Sequence, residues 1–130
     1  MLEARRLANK EVARLGDAIV NFLVSGALTL ATGRPHGVKV SNSTLRRAYR
    51  RLEQAGLVQG RPPRGFGPED LLEALIGLLW LKGRLSLDGV VLKLAKELSN
   101  REKPEKAVDE CLARVLADLL SSTVGSSLPL

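Results

Sequence analysis

Between Lys10 and Ala31 the sequence is apolar on most of a helix's circumference, and beyond the first turn that run carries a single acid, Asp17. Val12, Leu15, Ile19, Phe22, Leu23, Gly26 and Leu30 recur at spacings of three and four, forming one stripe with the period of an α-helix. A second stripe holds Ala13, Asp17, Val20, Val24, Ala27 and Ala31, which leaves only Arg14, Ala18, Asn21, Ser25, Thr29 and Thr32 on a narrow, mildly polar face. A helix this greasy is expected to be central and buried. A carboxylate in such a helix is costly to desolvate unless a cation or hydrogen bonds compensate it. Asp17 is therefore read as one wall of a divalent-metal site.

The other elements follow from start and stop signals. Gly33-Arg34-Pro35-His36-Gly37 ends the first helix. Ser41, Asn42 and Ser43 offer caps for a helix over about Thr44 to Ala55, closed by Gly56, with Leu45, Ala48, Tyr49 and Leu52 inward. The run from Gly60 to Pro68 reads as a mobile loop carrying Arg61 and Arg64. Pro68 and Glu69 open a second apolar helix, about Glu69 to Lys82, in which Trp80 reads as core. Further helices are expected from Ser86 to about Leu98 and from Pro104 to about Leu120, with Ser121 to Leu130 a frayed tail. The fold class is all-α, a single domain over residues 1–130.

Composition narrows the function. Aromatics make up 3% of the chain, so Leu, Val, Ile and Ala must build the core, a mix that suits helices. One cysteine, Cys111, cannot form an internal disulfide, which fits a cytoplasmic setting. With no uninterrupted apolar run of about eighteen residues and a charged amino terminus, neither a signal peptide nor a membrane span is expected. The net charge of +6 is polarised: Arg34 to Gly67 holds eight basic residues against one acid, Glu53, a local +7. Such a block points to a polyanion, RNA or DNA. The rival reading is a solvated helix face. Lys39, Arg46, Arg47, Arg50, Arg51, Arg61 and Arg64 are the candidate contacts.

The second apolar helix also carries acid, for Asp70 and Glu73 are i, i+3 neighbours that project together. If the two helices pack, Asp17, Asp70 and Glu73 converge, and carboxylates so placed raise one another's pKa until a cation discharges them. Magnesium or manganese, with oxygen ligands and retained waters, suits that set. In a basic protein such a site suits phosphodiester hydrolysis. The competing reading has Asp70 favouring a helix amino end, with Asp17 and Glu73 paired to Arg or Lys. His36 is the only histidine, and no phosphate-cradling glycine loop follows a strand, so zinc clusters, histidine triads and organic nucleotide cofactors find no support.

Leu15-Gly16-Asp17-Ala18-Ile19-Val20-Asn21-Phe22-Leu23, followed by Asp70-Leu71-Leu72-Glu73-Ala74-Leu75-Ile76-Gly77, resembles the ribonuclease III catalytic domain. The likeness is closest to short, archaeal-type members without a double-stranded-RNA-binding domain, and extends to Val40-Ser41-Asn42. The resemblance implies a homodimeric helical fold in which two such helices pair and a basic valley for duplex RNA runs between two acidic metal sites. Asp17, Asp70 and Glu73 match acidic site positions of that family. Lys10 and Ala13 stand where full-length members carry acids, and Arg14 where they carry an interface aromatic. Glu69, one turn before Glu73, is a further candidate ligand.

The leading expectation is a magnesium- or manganese-dependent endoribonuclease acting on double-stranded or structured RNA, such as a ribosomal or other precursor. The missing acids motivate a second, a non-catalytic RNA-binding protein on the same fold. A third is a winged-helix DNA binder, with Ser41 to Val58 as the recognition helix and Gly60 to Gly67 as wing tip.

Overall fold

The computed structural model describes residues 1–122 and shows six helices with one short parallel strand pair. The elements run β1 (Leu2–Glu3), α1 (Ala4–Leu7), α2 (Lys10–Thr32), α3 (Asn42–Gln54), β2 (Val58–Gln59), α4 (Pro68–Leu81), α5 (Leu87–Ser99), a 3₁₀ turn (Pro104–Lys106) and α6 (Val108–Ser121). The expected tail lies largely outside the described residues.

Local chemistry sets the helix ends. The Asn9 side chain accepts the Val12 N–H at 3.0 Å to start α2. Gly33, at φ 73°, ends it by turning left-handed while its N–H bonds the Thr29 carbonyl. Ser41 caps α3 through the Thr44 N–H at 3.2 Å, and Ser86 caps α5 through the Gly89 N–H at 3.1 Å. The last expected helix is split. Lys106 and Ala107 bond back to Lys103 and Pro104 in tight i to i−3 turns, so α6 begins only at Val108.

α2 packs α4 along one side and α5 along another, while α3 and α6 close the bundle around them. One continuous core joins these helices. Leu45, Ala48, Tyr49 and Leu52 are all buried on α3, as the spacing predicts, and Cys111 is buried on α6. By length and composition α2 could cross a membrane; here Val20, Leu23, Val24 and Ala27 are fully buried against neighbouring helices.

Two expectations of burial are corrected. Phe22 (52% exposed) and Leu30 (57%) lie open on the side of α2 that neither α4 nor α5 covers. Trp80 is exposed because the last turn of α4 runs past the α2 contact, whose end is marked by Gly77 against Val12. The Gly60–Gly67 loop is also held rather than free. Lys10 Nζ donates to the Gly65 carbonyl at 2.6 Å, and its ammonium lies 4.4 Å from the Phe66 ring centroid. No wing forms: among the described residues the only strands are β1 and β2, and they are parallel, Leu2 opposite Val58 and Glu3 opposite Gln59.

Candidate active site

Glycine, rather than the acids, decides how closely the two apolar helices approach. A Cβ on Gly16 would stand 1.6 Å from the Glu73 carbonyl oxygen, and one on Gly77 would stand 2.6 Å from the Val12 carbonyl. Both are impossible contacts, so only glycine lets the α2 and α4 backbones touch here. Because Gly16 precedes Asp17, and Glu73 lies one turn before Gly77, this crossing carries the two carboxyls to the same place. Gly16-Asp17 and Glu73-x-x-x-Gly77 are thus packing motifs as well as acid motifs.

The crossing opens a cleft of about 370 Å³ lined by Asp17, Asp70 and Glu73 together with Lys10, Ala13, Arg14, Lys39 and Asn42. All three expected acids therefore face one space. Within it the Asp17 and Glu73 carboxyls are neighbours, so that a protonated Glu73 can donate to Asp17. Burial, with Asp17 beside it, pushes the Glu73 carboxyl up to about 8. Asp17 moves the other way: the Glu73 hydrogen bond, outweighing a desolvation that opposes it, holds it below the usual carboxylate value, with Lys39 and Asn21 adding. Two carboxyls sharing a proton is the arrangement expected of like charges forced together.

Asp17 has further partners that connect distant parts of the sequence. Lys39 Nζ donates to both of its oxygens, at 3.1 and 3.3 Å. The Asn21 amide donates to it at 3.3 Å, while the Asn21 carbonyl oxygen accepts the Val40 N–H at 2.8 Å. Asn21 thereby fixes the segment leading into α3 against α2 and sets Lys39 beside the acid. The sequence motif by itself gives Asn21 no role. Its i, i+4 spacing from Asp17 was the available signal.

Asp70 and Glu69 are used differently. Asp70 faces the cleft, but one of its oxygens accepts the Gly67 N–H at 2.8 Å as the cap of α4, and Lys10 stands 4.0 Å away. The reading of Asp70 as an acid suited to a helix start thus holds alongside its place in the cleft. Glu69 does not line the cleft. Arg46 grips it with two bonds, at 2.9 and 3.1 Å, and holds its carboxyl below the ordinary value. As arranged, no three His, Cys, Asp or Glu side chains among the described residues come close enough to hold one ion. Asp17 and Glu73 are the two carboxyls that could hold a cation here, since magnesium keeps several waters and needs only one or two carboxylates.

The basic face of α3 is less free than its sequence suggests. Arg46 is bound to Glu69, and both Arg47 and Arg51 reach Asp109 of α6, at 3.3 and 3.4 Å. Asp109 is 7% exposed and packs among apolar neighbours on α6. The two arginines therefore compensate a buried acid first, and α3 is docked to α6 through them. Each of these arginine side chains is still about half exposed, and a guanidinium has more donors than these pairs use. Arg50, Arg61 and Arg64 make no ion pair among the described residues.

The sequence model of the family described as Ribonuclease III matches residues 10–126. No curated protein matches the chain.

Proposed function

This chain belongs to the ribonuclease III family, and from that premise we propose that it is a divalent-metal-dependent endoribonuclease acting on double-stranded or structured RNA. The observation that supports this most is the Asp17–Glu73 carboxyl pair, held across a glycine crossing and facing Asp70 in one cleft.

In this reading Asp17 and Glu73 hold a magnesium or manganese ion, with Asp70 on the same cleft wall. Held there, such an ion would supply a water of lowered pKa and charge compensation for the leaving oxygen of a phosphodiester. The protein groups do the rest. To serve as a ligand, Glu73 would release its proton to solvent, leaving both carboxylates charged. Lys39 and Lys10, both lining the cleft, neutralise phosphate oxygens, and Asn21 keeps Lys39 in place. Arg50 and the remaining donors of Arg46, Arg47 and Arg51 grip the RNA backbone, reading A-form shape rather than base sequence.

A second copy of the chain completes the assembly in this proposal. Ala18, Phe22 and Leu30 form an exposed apolar strip on α2 that this chain leaves uncovered, and the resemblance implies pairing of two such helices. Arg14, at the cleft edge, continues that strip, so the dimer contact begins beside the acids.

The test is direct. Purified protein is expected to cut duplex RNA with magnesium or manganese and not with chelator. Asp17→Asn and Glu73→Gln should abolish cutting while RNA binding survives. Salt-sensitive binding without cutting under any divalent ion would instead favour the non-catalytic reading, which Ala13 in the cleft wall supports. Undiminished cutting by both variants would end the assignment.

A further inference from the structure

Residues 1–9 precede the matched family segment, yet they are built into the molecule. The Leu2 N–H donates to the Leu57 carbonyl at 3.0 Å, and β1 then pairs with β2 in parallel, Leu2 against Val58 and Glu3 against Gln59. The Gln59 amide donates to the Glu3 carboxylate. A Cβ on Gly60 would stand 3.6 Å from the Ala4 nitrogen. The register ends with Ala4, the first residue of α1, alongside Gly60, so Arg5 and Arg6 follow directly on one side of this junction as Arg61 follows directly on the other. Ala4 and Leu7 are buried, which anchors α1 and leaves Arg5 and Arg6 exposed.

The same loop is fastened at its other end by Lys10, through the Gly65 carbonyl and the Phe66 ring. Lys10 also lines the acid cleft. Lys10 thus joins the cleft to the loop that carries Arg61 and Arg64, and the strand pair joins that loop to the segment that carries Arg5 and Arg6. All four arginines are exposed, and none makes an ion pair among the described residues. The one acid of the amino-terminal segment, Glu3, is directed at Gln59. With their backbone fixed by α1 and by the strand pair, these arginines meet a polyanion at a smaller ordering cost than they would on a free segment.

We propose that Arg5 and Arg6, set beside Arg61 and Arg64 by the β1–β2 pair, form a second phosphate-binding patch that grips the RNA backbone beyond the cleft. This rests on RNA being the partner, as above. The patch is a binding surface only and touches no reacting group.

The experiment titrates full-length protein with a duplex RNA in chelator, so that no cutting occurs, over a range of salt. Each lost phosphate contact lowers the slope of log affinity against log salt by about 0.9. Arg5→Gln/Arg6→Gln should therefore flatten the slope by about 2 and weaken binding roughly tenfold or more at 0.1 M salt. Arg61→Gln/Arg64→Gln should do the same. Lys93→Gln/Lys96→Gln, which removes equal charge from the exposed side of α5, should leave the slope unchanged. An unaltered slope in the Arg5/Arg6 variant, with wild-type melting temperature, overturns the patch. An equal loss in the α5 variant also overturns it, because net charge alone would then be responsible. Wild-type protein that binds no RNA would defeat the RNA reading itself. That outcome is distinct from wild-type binding with an indifferent Arg5/Arg6 variant.

Discussion

Replacing Glu73 by glutamine should make the metal-free protein less sensitive to pH, by an amount that follows from the site. In the folded chain the Glu73 carboxyl is pushed to about 8, against an ordinary 4.5. Between those values the folded state holds a proton that the unfolded chain has released. The favourable contribution is therefore complete below about pH 4.5 and is lost progressively as pH rises through about 8. At about 1.36 kcal/mol per pH unit, that interval amounts to roughly 5 kcal/mol. Glutamine keeps the shape and can still donate to Asp17, but it cannot ionise. Urea unfolding in chelator from pH 5 to 8.5 should thus show wild-type stability falling by a few kcal/mol more than that of Glu73→Gln. Manganese should flatten the wild-type curve, because a cation on the pair removes the need for the shared proton. Parallel curves for the two proteins would refute the shared-proton geometry.

Other substitutions probe the frame around that pair. Gly16→Ala drives a methyl into the Glu73 carbonyl and should cost about 2 kcal/mol or more in urea unfolding; a neutral outcome would mean that the helices are not in backbone contact. Asp109→Asn removes the acid that holds Arg47 and Arg51. It should cost about 1–3 kcal/mol, and an unchanged melting curve would show that those pairs do not dock α3 to α6. Phe22→Glu should leave the fold intact and shift light-scattering mass from dimer to monomer; a wild-type protein already monomeric at high concentration would remove the dimer from the account.

How much of this could be read from sequence depended on the range of the interaction. Caps and breaks such as Ser41, Gly33 and Ser86 act within a few residues, and they placed α2, α3, α4 and α5 to within about two residues. Periodicity put Leu45, Ala48, Tyr49 and Leu52 inside. It could not say which side of α2 would remain open, because a period of 3.6 marks an apolar side chain without saying whose surface covers it; Phe22 and Leu30 are the result. Trp80 misled for a similar reason, lying one turn beyond the crossing. The acids were legible because Asp17, Asp70 and Glu73 stand out from apolar helices. The ties that redirect basic residues were not. Arg47 to Asp109 spans 62 positions and Lys39 to Asp17 spans 22, and no local rule reaches that far. Nor did any local pattern announce the two-residue β1–β2 pair, whose strands are too short to show alternation.

The account turns on α2 and α4 presenting Asp17 and Glu73 to one divalent cation. Crystals of the protein soaked in manganese provide the most direct test, through the anomalous difference map. The prediction is one strong peak between the Asp17 and Glu73 carboxylates, within the cleft that Asp70 also lines, and its loss in Asp17→Asn. Strong manganese density elsewhere, with none at that pair, would contradict it.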